Sequence, residues 1–290
     1  MKLVRFGPAG KERPGILDAN GQVRDISSLV PDIDGKALSP ESLRAMRAVS
    51  LDALPLVPQG VRLGCPVAQV GKIVGVGLNY SDHAKECGAP IPTTPILFLK
   101  PPTAITGPDD TVVLPAGSEC SDWEVELGVV IGTEARNVSE EDALAHVAGY
   151  CVANDVSERH DQLQLGTQWT KGKSHDTFCP TGPWLVTPDE VGDVQDLKMW
   201  CEVNGKRVQD SSTNLMIFNV AQCIADISRY MTLLPGDLII TGTPAGVGLG
   251  HKPPVYLRAG DVMTLGIEKL GMQRQVVTEA IETPRVTAIA

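Results

Sequence analysis

The sequence predicts a β-rich α+β fold, and three observations lead there. Short apolar or alternating runs recur along most of the chain, the pattern of buried and half-buried strands. Turn-forming residues punctuate them: 29 glycines and 22 prolines suit a body of many strands better than a helical bundle. Helical spacing is confined to a few stretches that do not alternate regularly with strands, which argues against a doubly wound βαβ sheet.

Taken in order, Leu3–Phe6, Gly15–Asp18 and Val23–Ile26 read as short strands, with Asn20-Gly21 as a tight hairpin turn. Ser39-Pro40-Glu41 opens a short helix, serine as cap and proline in the first turn, where its missing N–H costs nothing. Residues 55–66 lack periodicity and read as a linker. We therefore expect 1–65 as a small N-terminal α/β domain and 66–290 as the main domain. There, strands are expected at Ile73–Leu78, Ile96–Lys100, Thr111–Leu114, Glu124–Ile131, Val147–Val156, Lys198–Val203, Leu238–Thr241, Val262–Ile267 and Gln273–Thr278. Asn204-Gly205 and Leu270-Gly271 mark hairpins. One helix follows Ser139, with Asp142 three residues on as its capping partner. A longer one is expected across Leu215–Thr232, where Ile217, Val220, Cys223, Ile224 and Ile227 recur at helical spacing.

Composition narrows the function classes. A net charge of −10 disfavours nucleic acid and anionic membrane as partners. It still permits a small anionic substrate where a bound cation reverses the sign locally. Seven scattered cysteines without a Cys-x-x-Cys pair suggest neither a disulfide framework nor a thiolate zinc site. The chain opens directly on a strand, and no apolar run approaches a membrane span, so a cytoplasmic protein is expected.

The chemistry begins at Glu124-Val125-Glu126. Two residues apart in a strand, both carboxylates share one face and repel unless something positive lies between them. Mg²⁺ and Mn²⁺ accept such all-oxygen donors. Asp155, at the end of another apolar strand, is placed to add a third oxygen ligand. His83 and Glu86, three apart, meet on one helical turn, where a carboxylate orients the imidazole and raises its basicity. Taken alone, each pattern is as often a solvated surface, so the surrounding motifs decide.

Those motifs resemble the fumarylacetoacetate hydrolase family. Asp122-Trp123-Glu124-Val125-Glu126-Leu127 and Asp155-Val156-Ser157-Glu158-Arg159-His160-Asp161-Gln162 are two of six matching segments, in the family's order. Gly77-Leu78-Asn79-Tyr80-Ser81-Asp82-His83-Ala84-Lys85-Glu86 is similar to the family's lid and Lys100-Pro101-Pro102 to its Lys-Pro step. Lys173-Ser174-His175-Asp176-Thr177-Phe178 is similar to its lysine loop, and Pro235-Gly236-Asp237 with Thr241-Gly242-Thr243-Pro244-Ala245-Gly246-Val247-Gly248 to its glycine-rich signature. The resemblance covers residues 70–280 and implies the family's mixed β-sandwich roll as the catalytic domain.

Carried over residue by residue, it implies Glu124, Glu126 and Asp155 as ligands of Mg²⁺ (or Mn²⁺). His83 and Glu86 become a general-base pair and Lys173 the group that stabilises an enolate. Arg159, Gln162 and Thr243 face the substrate, and Asp122 supports the site from behind. The implied partner is a small anionic 2-oxo acid, and the implied assembly a homodimer. The implied reaction is hydrolysis of the C–C bond of a 2,4-dioxo acid to pyruvate and a carboxylic acid. A 2,4-diketo-3-deoxy acid derived from L-rhamnonate or L-fuconate is the expected substrate. Oxaloacetate decarboxylation, isomerisation of 2-hydroxyhepta-2,4-diene-1,7-dioate, a ureidoglycolate lyase and a silent metal and ligand binder are the alternatives. The chain departs from the family pattern at His160, where Asp is frequent, and at His175, where Phe is. We read His175 as a polar contact to a hydroxylated substrate tail.

Overall fold

The computed structural model describes residues 1–280; the end of the expected main domain, 281–290, lies outside the described residues. The architecture is the expected β-rich one. A mixed sheet runs in the order Val23–Asp25, Arg13–Leu17, Lys2–Phe6, Cys179–Val186, Val147–Asn154, Val125–Ile131, Leu238–Ile240, Ile73–Gly77, Ile96–Lys100. Leu63–Gly64 and Ile105–Thr106 add to it at the side. A five-stranded sheet packs against it, in the order Lys206–Ser212, Lys198–Val203, Val262–Ile267, Gly271–Glu279, Val112–Leu114.

Strand alternation decides which core each side chain enters. In Val125–Ile131, Val125, Leu127, Val129 and Ile131 point into a core shared with the five-stranded sheet and the helix Val220–Tyr230. Val130 points the other way, into a core with Phe98 and Leu238. Both faces being covered, the strand reads as one continuous apolar run. Glu124 and Glu126 fall on the face of Val130, as their spacing requires.

The strands of residues 1–65 join the large sheet directly, Lys2 opposite Val186 and Leu3 opposite Leu185. Leu3, Ile16 and Ile33 share the core of Val130, Cys151 and Leu238. The residues expected as a small domain of their own thus occupy one edge of the common sheet.

Two expectations change. The strand Cys179–Val186 was not anticipated, because Pro180, Gly182 and Pro183 read as turn residues. It lies centrally, and a register shift between Tyr150 and Val152 absorbs the prolines. Buried Gln273 repairs the ladder there, its Nε2 donating to the carbonyls of Val152 (2.8 Å) and Gly182 (2.9 Å). The long helix is Val220–Tyr230 rather than Leu215–Thr232. A reciprocal Asn219–Gln222 capping box fixes its start and ends the preceding Thr213–Leu215 turn as a separate 3₁₀ element. No helix of the described residues is long and apolar enough to cross a membrane.

Candidate active site

The site lies where the strands Val125–Ile131 and Val147–Asn154 end side by side. Their pairing sets Val125 opposite Asn154, and the Asp155 amide donates to the Glu124 carbonyl at 2.9 Å. The strand ends thereby bring Glu124, Glu126 and Asp155 together, with one carboxylate oxygen of each within 4.8 Å of the others. All three are buried.

Three cations answer the charge. Lys100 Nζ donates to Asp155 Oδ1 at 2.6 Å, and Lys173 Nζ to Asp155 Oδ2 at 2.6 Å and Glu124 Oε2 at 2.9 Å. Arg159 pairs with Glu124 Oε1 at 2.7 Å and with Asp122 Oδ2 at 2.9 Å. Asp122 is fully buried and also accepts from the amides of Gly248 (2.6 Å) and Leu249 (2.9 Å). It supports Arg159 from behind, as expected.

Four buried carboxylates face three side-chain cations, and the surplus falls on Glu126, whose one donor among the described residues is the Gly242 amide at 2.7 Å. Burial, then Asp155 and Glu124, hold the Glu126 carboxyl well above its ordinary pKa. Burial opposes ionisation of Glu124 too, but Lys173 and Arg159 outweigh it and hold its carboxyl below the usual range. A dry, all-oxygen cluster with one negative charge left over fits a hard divalent cation.

His83 sits on the helix Ser81–Glu86, with Nδ1 3.0 Å from Glu86 Oε2. Glu86 is held in turn by the Gly246 amide, 2.9 Å from its Oε1. Gly246 has φ +102°, and a Cβ there would come within 1.9 Å of the Val208 carbonyl, so only glycine brings its N–H to this point. The lid is tied down at its root by buried Asn79, whose amide donates to the carbonyls of Thr241 (2.8 Å) and Phe218 (3.0 Å). Burial works against charging His83, but Cys87, Glu86 and Glu124 overcome it and raise its pKa to about 9.

A cleft of about 740 Å³, open mouth included, joins these groups. Such a size suits a small molecule. Of the residues singled out in the sequence, His83, Glu124, Glu126, Arg159, Gln162, Lys173 and Thr243 line it. Asp155 lies fully buried in the charge cluster, and Glu86 braces His83 from the side.

Two expectations need correction. Lys173 ends a short helix, Thr170–Lys173, rather than standing in a loop. His175 does not line the cleft; its Nε2 is 2.9 Å from Asp161 Oδ2 and its ring packs edge-on against Phe178. Within the Thr243 turn, two amides and the hydroxyl are engaged by the protein itself. The amides of Gly242 and Gly246 donate to Glu126 and Glu86. The Thr243 hydroxyl donates to the Val125 carbonyl (3.0 Å) and accepts from Gln209 (2.8 Å).

Sequence reasoning also missed the Lys100–Asp155 pair and the apolar wall of Phe98, Leu163, Trp169 and Leu249. The Lys-Pro step was the available signal for Lys100. The wall had none, because its members come from four separate segments.

Residues 72–278 match the family described as fumarylacetoacetate (FAA) hydrolase, C-terminal. The chain belongs to this family. It is 60% identical over 280 residues, 96% of either chain, to the 2,4-didehydro-3-deoxy-L-rhamnonate hydrolase of Sphingomonas sp. (strain SKA58). Its fold matches the fumarylacetoacetate hydrolase of Exiguobacterium antarcticum with a TM-score of 0.83 at 38% identity, covering 97% of this chain and 100% of that one. It also matches a maleylpyruvate hydrolase from Sphingobium sp. SYK-6, whose structure holds manganese(II) and pyruvate, with a TM-score of 0.81 at 32% identity and the same coverage.

Two outcomes follow from the electrostatics. Glu126, with its folded pKa raised, lends stability below its unfolded pKa and loses it as pH rises through the folded value. Glu126→Gln should therefore raise the melting temperature of metal-free protein at pH 8 and abolish the stabilisation that Mg²⁺ gives the wild type. A lower metal-free melting temperature would contradict the surplus charge on Glu126. His83, titrated by NMR in metal-free protein, should show a midpoint near pH 9. Mg²⁺ should move it down, since a cation cancels the field of Glu124; an unchanged midpoint would separate the two groups.

Proposed function

We propose that the protein is a divalent-metal-dependent hydrolase that cleaves 2,4-dioxo acids to pyruvate and a carboxylic acid. The observation that carries the reading is the meeting of two devices on one cleft. One is the surplus-charged carboxylate cluster; the other is a carboxylate-braced imidazole. Their residues are those the family resemblance implies. The substrate class follows from the 60% identical relative, named a 2,4-didehydro-3-deoxy-L-rhamnonate hydrolase. A 2,4-diketo-3-deoxy acid derived from L-rhamnonate or L-fuconate is the substrate we assign. Mg²⁺ or Mn²⁺ is the cation, a choice supported by the oxygen-only donors. A cytoplasmic homodimer completes the reading and rests on the family resemblance.

Glu124, Glu126 and Asp155 hold the cation in this scheme. When bound, it supplies Lewis acidity and positive charge for the oxygens of a 2-oxo acid. In its neutral form, which a cation bound beside Glu124 would favour, His83 takes a proton from water at Nε2, because Glu86 accepts the Nδ1 hydrogen and keeps the lone pair on the other nitrogen. The hydroxide oxygen bonds to C4. The C3–C4 bond then breaks, its electron pair leaving with C3 as an enolate, and C4 departs as the carboxylic acid. Lys173 donates a hydrogen bond to the enolate oxygen, and protonation at C3 gives pyruvate. Arg159 and Gln162 bound the polar end of the cleft. Arg159 is already engaged by Asp122, Glu124 and, at 2.9 Å, Gln162, so it orients those groups at least as much as it meets a substrate carboxylate.

The test is pyruvate release from a 2,4-diketo-3-deoxy sugar acid with Mg²⁺, with oxaloacetate and a dienedioate as comparison substrates. His83→Ala and Glu86→Ala should lower turnover about 10²–10⁴-fold, the range of a lost general base. Binding of oxalate, a mimic of the pyruvate enolate, should survive both changes. Faster oxaloacetate decarboxylation than C–C hydrolysis, or unchanged turnover in His83→Ala, would overturn the assignment.

A further inference from the structure

Beside the all-oxygen cluster, the same cleft carries a donor set of different chemistry. His83, Glu86 and Cys87 present a nitrogen, an oxygen and a sulfur whose ligand atoms lie within 4.8 Å of one another. His83 Nδ1 is 3.0 Å from Glu86 Oε2, and Cys87 Sγ is 3.8 Å from Nδ1. A tetrahedral Zn²⁺ with ordinary bond lengths sets its nitrogen and oxygen ligands about 3.3 Å apart and its nitrogen and sulfur ligands about 3.6 Å apart. The two observed separations fall within a few tenths of an ångström of those values; Cys87 Sγ is also 3.8 Å from Nε2, so the exposed thiol has to turn toward the Nδ1 side to complete the site. Helical spacing explains the match, since positions i, i+3 and i+4 of one turn share a face. Cys87 is exposed, whereas the oxygen ligands of the other cluster are buried. Glu86 Oε1 stays with the Gly246 amide, while Oε2 exchanges the His83 Nδ1 hydrogen for the metal.

We propose that His83, Glu86 and Cys87 form a second metal site, selective for a thiophilic divalent ion such as Zn²⁺, and that filling it switches the enzyme off. Hard cations prefer the carboxylate cluster, while a thiolate and an imidazole select zinc. On binding, Cys87 gives its thiol proton to solvent. An ion on Nδ1 of neutral His83 places the ring hydrogen on Nε2, so the nitrogen facing the cleft has no lone pair for a proton. Three protein ligands leave a fourth position to water. The loss of turnover rests on His83 being the base proposed above; the binding itself does not.

The experiment uses full-length protein saturated with Mg²⁺ and titrated with Zn²⁺. Two readouts are followed: pyruvate release, and alkylation of Cys87 by iodoacetamide scored by mass spectrometry. In the wild type, Zn²⁺ should inhibit turnover and protect Cys87. Cys87→Ala, scored against its own Mg²⁺-supported rate, should resist Zn²⁺ at least about tenfold better, since even an indirect partner of a metal ligand is worth 10–100-fold in affinity. Cys87→Ser should also resist, because a hydroxyl is a poor zinc ligand. His83→Ala should lose the protection of Cys87. Equal inhibition of wild type and Cys87→Ala would place zinc at the carboxylate cluster and overturn the inference, as would full Cys87 alkylation in saturating Zn²⁺. Protection of Cys87 in a protein that turns over none of the 2,4-dioxo acids would instead uphold the site and count against the proposed reaction.

Discussion

The structure depends on a buried imbalance of charge. Asp122, Glu124, Glu126 and Asp155 are taken out of water together, and Lys100, Arg159 and Lys173 offset all but one of their charges. Removing water from an ionised group costs several kcal/mol unless partners replace it, so losing any one cation leaves a carboxylate stranded in the interior. The cluster is therefore a poor device for stability and a good one for binding a cation. The folded chain pre-assembles three oxygen donors and leaves Glu126 as the carboxyl that resists ionisation until a cation answers it. Strong ion pairs fix Glu124 and Asp155 in place, while the weakly held member carries the affinity.

A single turn of backbone ties the charge cluster to the histidine lid. Gly242 donates to Glu126 and Gly246 donates to Glu86, four residues apart on the segment after Leu238–Ile240. Any displacement of this turn shifts a carboxylate of the cluster and the carboxylate that orients His83 together. The lid itself is short, six residues from Ser81 to Glu86, too short to hold its shape by helix propensity. Asn79 at its root and Gly246 at its end supply the anchoring. Beside the charged groups of the cleft, Phe98, Leu163, Trp169 and Leu249 supply apolar lining, Phe98 with its ring centroid 4.9 Å from Lys173 Nζ.

Much of this was legible in the one-dimensional pattern. Glu124 and Glu126 share a face because a strand alternates with period two, whatever it pairs with. His83 and Glu86 meet because one helical turn brings positions three apart together, and the Asn204-Gly205 turn closes its hairpin with both residues at positive φ. What escaped was non-local. Cys179–Val186 hides behind its prolines, and only Gln273, ninety residues away, completes its hydrogen bonding. Nothing in the local sequence says that Glu126 and Glu86 claim the amides of Gly242 and Gly246, or that Val125 and Gln209 claim the Thr243 hydroxyl.

The sequence by itself determined the β-rich class, the faces on which the acidic and basic residues fall, and, through six ordered motifs, the family. These rest on periodicity and on contiguous residues, where backbone geometry alone dictates which side chains are neighbours. Only the tertiary structure decided how the charges are shared: Lys173 and Lys100 on Asp155, Arg159 between Asp122 and Glu124, and Glu126 left with one amide. It also turned His175 out of the cleft. The reason is physical: desolvation and Coulomb energies depend on distance and burial, and separate strands, loops and helices acquire both only when they pack.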